Sequence, residues 1–193
     1  MKNIAVFASG SGSDFQSVID GVNSKQINGR IKILITNKEG VFALERAKQN
    51  GIKRATFKRS NFESNDKMYA EIIKVLEEEE IDLIVLAGYL GILAPNIVDR
   101  YRNKIINIHP SLIPKYCGMG FYGIKVHEAV IKAGESESGC TVHYVDEGAD
   151  TGKIIKQVKV PVYKTDSAED LQKRILVEEH KVLPEVVAML CKD

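Results

Sequence analysis

Hydrophobic and polar residues alternate in blocks along the first half of the chain, and the blocks switch between two periods. "NIAVFA" (3–8) is an unbroken apolar run that stops at glycines, the mark of a strand covered on both faces. Phe15, Val18, Ile19 and Val22 then recur at helical spacing, with Asp14 placed to cap that helix. "IKILIT" (31–36) predicts a second strand, and "VFALERAKQN" (41–50) a helix stopped by Gly51. Residues 53–58 predict a weaker third strand. "DKMYAEIIKVLEEEE" (66–80) is an amphipathic helix, and its acidic run Glu77 to Glu80 reads as a solvated face. "IDLIVLAG" (81–88) is another doubly buried strand. "PNIVDRYRN" (95–103) predicts a helix with Pro95 in its first turn, and "KIINIH" (104–109) the next strand.

Strand and helix alternating at this short period imply right-handed βαβ units and a parallel sheet. After His109 the pattern changes. "YGIKVHEAVIKAG" (122–134) predicts a helix. "GCTVHYV" (139–145) and "GKIIKQVKVPV" (152–162) predict two longer strands, antiparallel and added at the sheet edge. Residues 167–190 predict one long helix, bent at Pro184. No repeat or low-complexity linker divides the chain. The expectation is one α/β domain over 1–193, with a mostly parallel, twisted, Rossmann-like sheet and antiparallel strands near the C-terminus.

Composition narrows the class of function. With 27 basic and 26 acidic residues among 193, the surface is not built for nucleic acid. Cys117, Cys140 and Cys191 are odd in number and lack CxxC spacing, so neither a disulfide scaffold nor a zinc site is expected. No apolar stretch approaches the ~20 residues of a membrane span, and the N-terminal run is too short for a signal peptide. The expectation is a cytoplasmic protein with reduced thiols, acting on small molecules as a monomer or weak homodimer.

Two places carry candidate chemistry. "FASGSGSDFQ" joins the first strand to the first helix, at the carboxyl end of a strand where open α/β sheets bind ligands. Small residues there let backbone N–H groups approach an anion at the helix N-terminus. The spacing fits neither a P-loop nor a full G-x-G-x-x-G, and the second strand ends in Asn37 rather than an acidic residue. A monophosphate therefore suits the loop better than a dinucleotide. Asp14 sits awkwardly for that role, since its charge repels a phosphate, although its N–H can still donate.

The second place is "IINIHPSLIPK" (105–115). Period two puts Asn107 and His109 on one side of a strand, at the same carboxyl edge. The loop "VDEGADTGK" (145–153) adds Asp146, Glu147 and Asp150. A carboxylate beside His109 orients the ring and raises its pKa. An amide and an imidazole together can stabilise an oxyanion and move protons, which is acyl-transfer chemistry without a covalent nucleophile. His127, His143 and His180 form no metal-binding spacing with His109, and Ser111 lacks a nucleophile elbow. Thr141 and His143 are expected on one face of their strand as support near the site, and His127 and His180 as ordinary helix residues.

These motifs resemble those of the folate-dependent formyltransferases over essentially the whole chain. The resemblance rests on "FASGSGSDFQ", "LAGYLGIL" (86–93), "NIHPSLIPKY" (107–116) and "GCTVHYVDEGADTGKII" (139–155). The phosphate loop, and a length without a tRNA-binding or regulatory extension, favour the branch that formylates glycinamide ribonucleotide in purine synthesis. What the resemblance implies is transfer of the formyl group of 10-formyltetrahydrofolate to the amine of that ribonucleotide, with no metal. It implies a three-layer formyltransferase fold, with an N-terminal half for the phosphate and a C-terminal half for folate and catalysis. Asn107, His109 and Asp150 match the catalytic set. Gly12, Ser13 and Asp14, with Leu176, Val177, Glu178 and Glu179, match the ribonucleotide site, Glu179 accepting from ribose hydroxyls. Leu90, Gly91, Ile92 and Leu93, Asn107, and the loop Asp146, Glu147, Gly148, Ala149 and Asp150 match the folate pocket. The departures are Asp14 where asparagine is frequent, Gly91 where arginine is common, Cys117 and Lys153 in place of proline, and Ala149 in place of a branched residue. A formyltetrahydrofolate hydrolase and a phosphometabolite-binding module are the alternatives.

Overall fold

The computed structural model describes residues 1–192. Seven strands form one sheet in the order β3-β2-β1-β4-β5-β6-β7. The parallel part is β1 (Lys2–Phe7), β2 (Gly29–Thr36), β3 (Lys53–Thr56), β4 (Leu83–Leu86) and β5 (Ile105–His109). The antiparallel part is β6 (Glu137–Tyr144) and β7 (Ile154–Pro161), paired beyond β5. Helices α1 (Ser13–Asn23), α2 (Phe42–Gln49), α3 (Asn65–Glu78), α4 (Pro95–Arg100), α5 (Ile124–Ala133) and α6 (Ala168–Leu190) cover its two faces.

Side chains from successive residues of β1 go to opposite cores, as a doubly buried strand requires. Ile4, Val6 and Ala8 pack with Phe15, Val18 and the α6 residues Ile175, Leu183 and Val187. Ala5 and Phe7 pack with Tyr69, Ile72 and Leu76 of α3 and Ile97 of α4. Each of these large side chains contributes ~1.5–3 kcal/mol by leaving water, and together they hold the three layers in one arrangement. Among the described residues no helix is long and apolar enough to cross a membrane.

The chain steps outward from β1 to β2 and β3, then returns to β4 on the other side of β1. The strand order reverses between β1 and β4, which opens a crevice at their carboxyl ends. Three segments border it: the glycine loop after β1, residues 87–93 after β4, and the end of β5. Ser9 ties two of them together, its Oγ accepting from the Leu90 N–H at 2.9 Å and donating to Asn37 Oδ1 at 2.7 Å.

Most predicted elements occur, with shifted ends. The strand expected at 139–145 begins at Glu137, and the helix expected at 122–134 begins at Ile124 after Gly123 at φ 55. The helix expected over 95–103 closes at Arg100, because residues 101–103 turn instead, with Asn103 left-handed. The long helix expected over 167–190 is present as α6, which runs through Pro184 from a Ser167–Asp170 capping box to Leu190. Asp14 does not cap α1. Gly12 is the cap residue, in a left-handed conformation at φ 69, and no side chain caps the helix. The chain enters the helix two residues earlier than the polar pattern suggests, so the Asp14 carboxylate turns into the protein.

Candidate active site

Gly12 explains the entry to α1. A Cβ there would lie 2.8 Å from Ala43 Cβ, and the positive φ already disfavours any other residue. The loop therefore seats on α2, where Arg46 Nε donates to the Ser11 carbonyl at 2.9 Å. The first N–H groups of α1, at Ser13 and Asp14, have no partner within the helix and face the crevice end of β1. A cradle of this kind is made by backbone and suits an anion.

Asp14 is different in character. Its Oδ1 is enclosed without a hydrogen-bond partner and lies 3.6 Å from His180 Nε2, which is enclosed and unpartnered too. Burial raises the Asp14 carboxyl to about 6. Glu179, 7% exposed, is raised well above the usual carboxylate range by burial and then by the charge of Asp14. Of the other α6 candidates, Glu178 pairs with Lys181 at 2.7 Å and Val177 is exposed. So α6 brings Glu179 to the loop, and His180 with it. His180 was expected to be ordinary. Its helical position carries no sign of Asp14, 166 residues earlier.

The end of β5 is built from side chains. Register pairs Asn107 with His143 and His109 with Thr141 across the antiparallel β5–β6 ladder. The imidazole of His143 is fixed by both nitrogens. Nδ1 lies 2.8 Å from the Tyr144 carbonyl, which can only accept, so Nδ1 carries the proton. Nε2 then accepts from Asn107 Nδ2 at 3.1 Å. The second N–H of Asn107 faces Asp150 Oδ1 at 3.4 Å, a long contact that a ligand oxygen can replace.

His109 is held in the same way. Nε2 donates to the Tyr116 carbonyl at 2.9 Å, leaving Nδ1 toward Asp150 Oδ2 at 3.6 Å. Asp150, at φ 58, meets four groups: Asn107, His109, His143 at 3.5 Å, and the Gly118 N–H at 2.9 Å. Burial alone would push its carboxyl up. The close approach of the His143 ring, the charge His109 carries when protonated and the Gly118 N–H outweigh that and hold it at about 2. Asp150 is thus the carboxylate that reaches His109. Asp146 instead shapes the loop, accepting from the Gly148 N–H and the Thr151 hydroxyl, and Glu147 lies outside near Arg102.

One electrostatic expectation is overturned. Asp150 was expected to raise the His109 pKa, yet the pKa falls below 6.5, because burial outweighs the opposing pull of the Tyr116 carbonyl and Asp150. His127 is buried nearby and is lowered to about 4 by burial and by His109, a core position its helical pattern does not announce. Thr141 braces the loop after β5: its hydroxyl donates to the Ser111 carbonyl at 2.6 Å and accepts from the Ile113 N–H at 3.2 Å.

These two ends, a backbone anion cradle and an amide–imidazole–carboxylate cluster, share one crevice. A formyl transferase family model matches residues 2–187. The chain belongs to the formyl transferase family. It is 43% identical over 187 residues to the phosphoribosylglycinamide formyltransferase of Haemophilus influenzae, covering 97% of this chain and 86% of that protein. It is 41% identical to the chloroplastic phosphoribosylglycinamide formyltransferase of Arabidopsis thaliana over all 193 residues, but spans only 66% of that protein's length. Its fold superposes on the phosphoribosylglycinamide formyltransferase structure from Bacillus halodurans with TM-score 0.94 and 35% identity, covering 100% of this chain and 96% of that one.

Within the formyl transferase frame, the departure at Gly91 has a steric cause. A Cβ at Gly91 would lie 2.5 Å from the Tyr89 ring. That ring is buried edge-on to Phe7, and its hydroxyl is 3.1 Å from that of Tyr69. Beside it Leu90 and Ile92 are exposed apolar residues, 50% and 68%, at the mouth of the crevice, while Leu93 is partly buried in the α3/α4 core. Cys117 stays a thiol, its pKa raised by burial and by Asp150. Nothing in the structure explains Lys153 or Ala149.

Proposed function

We propose that the chain transfers the formyl group of 10-formyltetrahydrofolate to the amine of glycinamide ribonucleotide, giving formylglycinamide ribonucleotide and tetrahydrofolate for purine synthesis. The observation that carries this is the meeting of Asn107, His109 and Asp150 at the end of β5, with only β4 between it and the strand that carries the anion cradle, in a member of the formyl transferase family. One domain serves both substrates. The ribonucleotide phosphate sits on the N–H groups of Gly12, Ser13 and Asp14, and the folate lies against Leu90 to Leu93 and the loop Asp146 to Asp150. Three free thiols accord with a reducing cytoplasmic setting.

The chemistry follows from the tautomers. The ribonucleotide amine attacks the formyl carbon and a C–N bond forms. The carbonyl oxygen becomes an oxyanion, and the second Asn107 N–H is the donor available to it. His109, with its pKa below 6.5, is largely neutral at pH 7, and its Nδ1 accepts the proton lost by the amine. The imidazolium so formed is paired with ionised Asp150 and adds charge stabilisation. As the bond to N10 of the folate breaks, the proton passes to that nitrogen. His143 acts on Asn107, holding the amide so that its second N–H is free.

An absorbance assay of tetrahydrofolate formation, run with and without glycinamide ribonucleotide, tests the reading. Product formation should depend on the ribonucleotide. Equal rates without it would identify a hydrolase, and no turnover with either would leave a binding module.

A further inference from the structure

Ser9 lies between the two ends of the crevice and takes no part in the chemistry above. It follows β1 closely and is only 4% exposed. Its N–H donates to the Gly88 carbonyl at 3.1 Å, and its Oγ accepts from the Leu90 N–H at 2.9 Å. Those two backbone groups flank Tyr89, so Ser9 grips the segment after β4 on either side of that residue. The chain bends there at Gly88, φ 70, where a Cβ would meet nothing within 4 Å. Packing around Gly88 therefore does not fix the bend.

The hydroxyl is oriented as well as placed. Leu90 N–H can only donate and takes an oxygen lone pair, so the Ser9 proton goes to Asn37 Oδ1 at 2.7 Å. Asn37 stands directly after β2, where a dinucleotide-binding fold would carry an acidic residue. Here its amide is the acceptor that turns the Ser9 lone pair toward Leu90. One buried side chain thus joins the segments that follow β1, β2 and β4.

Each substrate-binding segment also has anchors of its own. The cradle is seated by Gly12 on Ala43, by Arg46 on the Ser11 carbonyl, and by the Ala43 N–H on the Gly10 carbonyl at 3.2 Å. The segment 90–93 is held by the buried Tyr89 ring and by Asn65, whose Nδ2 donates to the Ile92 carbonyl at 3.0 Å. Loss of the Ser9 hydroxyl would leave both segments formed and loosen only their placement relative to one another.

We propose that Ser9 is a positioning residue: its hydroxyl sets the folate-binding segment against the ribonucleotide cradle, so that the formyl carbon and the amine meet within reach of Asn107 and His109. The inference rests on the formyl-transfer reading of the crevice. A serine that merely supported the pockets would act on the binding of each substrate by itself. A positioning serine acts when both are bound, where a shift of about 1 Å between reacting groups can cost up to about 10²-fold in rate. The Ser9 N–H contact to Gly88 survives removal of the hydroxyl and limits the shift, so the expected loss is about tenfold.

Separating binding from turnover in Ser9→Ala tests this. Isothermal titration calorimetry gives Kd for glycinamide ribonucleotide alone and for 10-formyltetrahydrofolate alone, and tetrahydrofolate formation with both saturating gives kcat. In Ser9→Ala kcat should fall about tenfold, with each Kd within about twofold of wild type. An unchanged kcat would overturn the proposal. So would Kd values that rise as steeply as kcat falls, since Ser9 would then only support the pockets. Should Ser9→Ala fail to fold, Asn37→Ala removes the acceptor of the hydroxyl and makes the same comparison. There kcat should fall about threefold with both Kd values held, and an unchanged kcat would overturn the proposal. Wild-type protein that turns over equally without the ribonucleotide, or not at all, would instead remove the formyl-transfer reading, and the role of Ser9 with it.

Discussion

The crevice has two ends made by opposite means. After β1, the cradle is backbone: its geometry comes from Gly12 and the seat on Ala43, and no side chain caps α1. After β5, the cluster is side chain: Asn107, His109, His143 and Asp150 hold one another, while the strands supply only register. A backbone site is insensitive to which small residue occupies it and sensitive to an added Cβ. A side-chain site is the reverse. Binding and bond-making are therefore expected to fail under different substitutions.

The largest effect should come from truncating the cluster. Asn107→Ala, His109→Ala and Asp150→Ala are each expected to lower kcat by ~10²–10³-fold, since each removes an oxyanion donor, a proton carrier or the group that pairs with it. Circular dichroism should be unchanged. A near wild-type kcat in all three would place the chemistry elsewhere.

Gly12→Ala should strike the other end. The left-handed backbone costs a non-glycine residue about 1–2 kcal/mol, and the new Cβ must also displace Ala43. Urea denaturation should register that loss, and KM for the ribonucleotide should rise with kcat changed far less. If kcat fell instead, the two ends would not be separable.

His143→Phe sharpens the same contrast inside the cluster. It removes one hydrogen bond to Asn107, worth about 1 kcal/mol, so kcat should fall by roughly fivefold while KM for the ribonucleotide stays put. A loss as deep as that of Asn107→Ala would instead give His143 a direct part in the reaction.

The smallest expected effect is on stability against pH. His127, lowered to about 4, takes up its proton less readily folded than unfolded. Between about pH 6.5 and about pH 4 the unfolded chain binds the extra proton, so this residue's contribution weakens the fold as pH falls through that window. Asp14, raised to about 6, acts with the opposite sign, favouring the folded chain as pH falls from about 6 toward 3.8. His127→Leu should therefore lose less thermal stability than wild type between pH 6.5 and pH 4.5 in a calorimetric scan. Equal losses would mean that His127 is protonated as readily in the fold as outside it.

Local periodicity carried much of this molecule. A run such as "NIAVFA" is legible as a doubly covered strand because each residue from Ile4 to Ala8 is buried by one layer or the other. The placing of Asn107 and His109 on one side of β5 follows from the strand repeat alone. Element ends were less legible, as at α4, because a turn at residues 101–103 depends on backbone hydrogen bonds that composition does not express. His143 as the partner of Asn107 needed the β5–β6 register, which no window along the chain contains.

By itself, then, the sequence determined the order of strands and helices, the glycine loop at the end of the first strand, and the two polar residues aimed from the end of β5. Only the tertiary structure decided that Asp14 turns inward to meet α6 rather than capping α1, that Asp150 and not Asp146 or Glu147 reaches His109, and that the His109 pKa moves down. The physical reason is range. Periodicity and turn chemistry act between neighbours in the chain, whereas burial and charge sum over every group brought near, and Asp14 and His180 become neighbours only when the sheet is closed over.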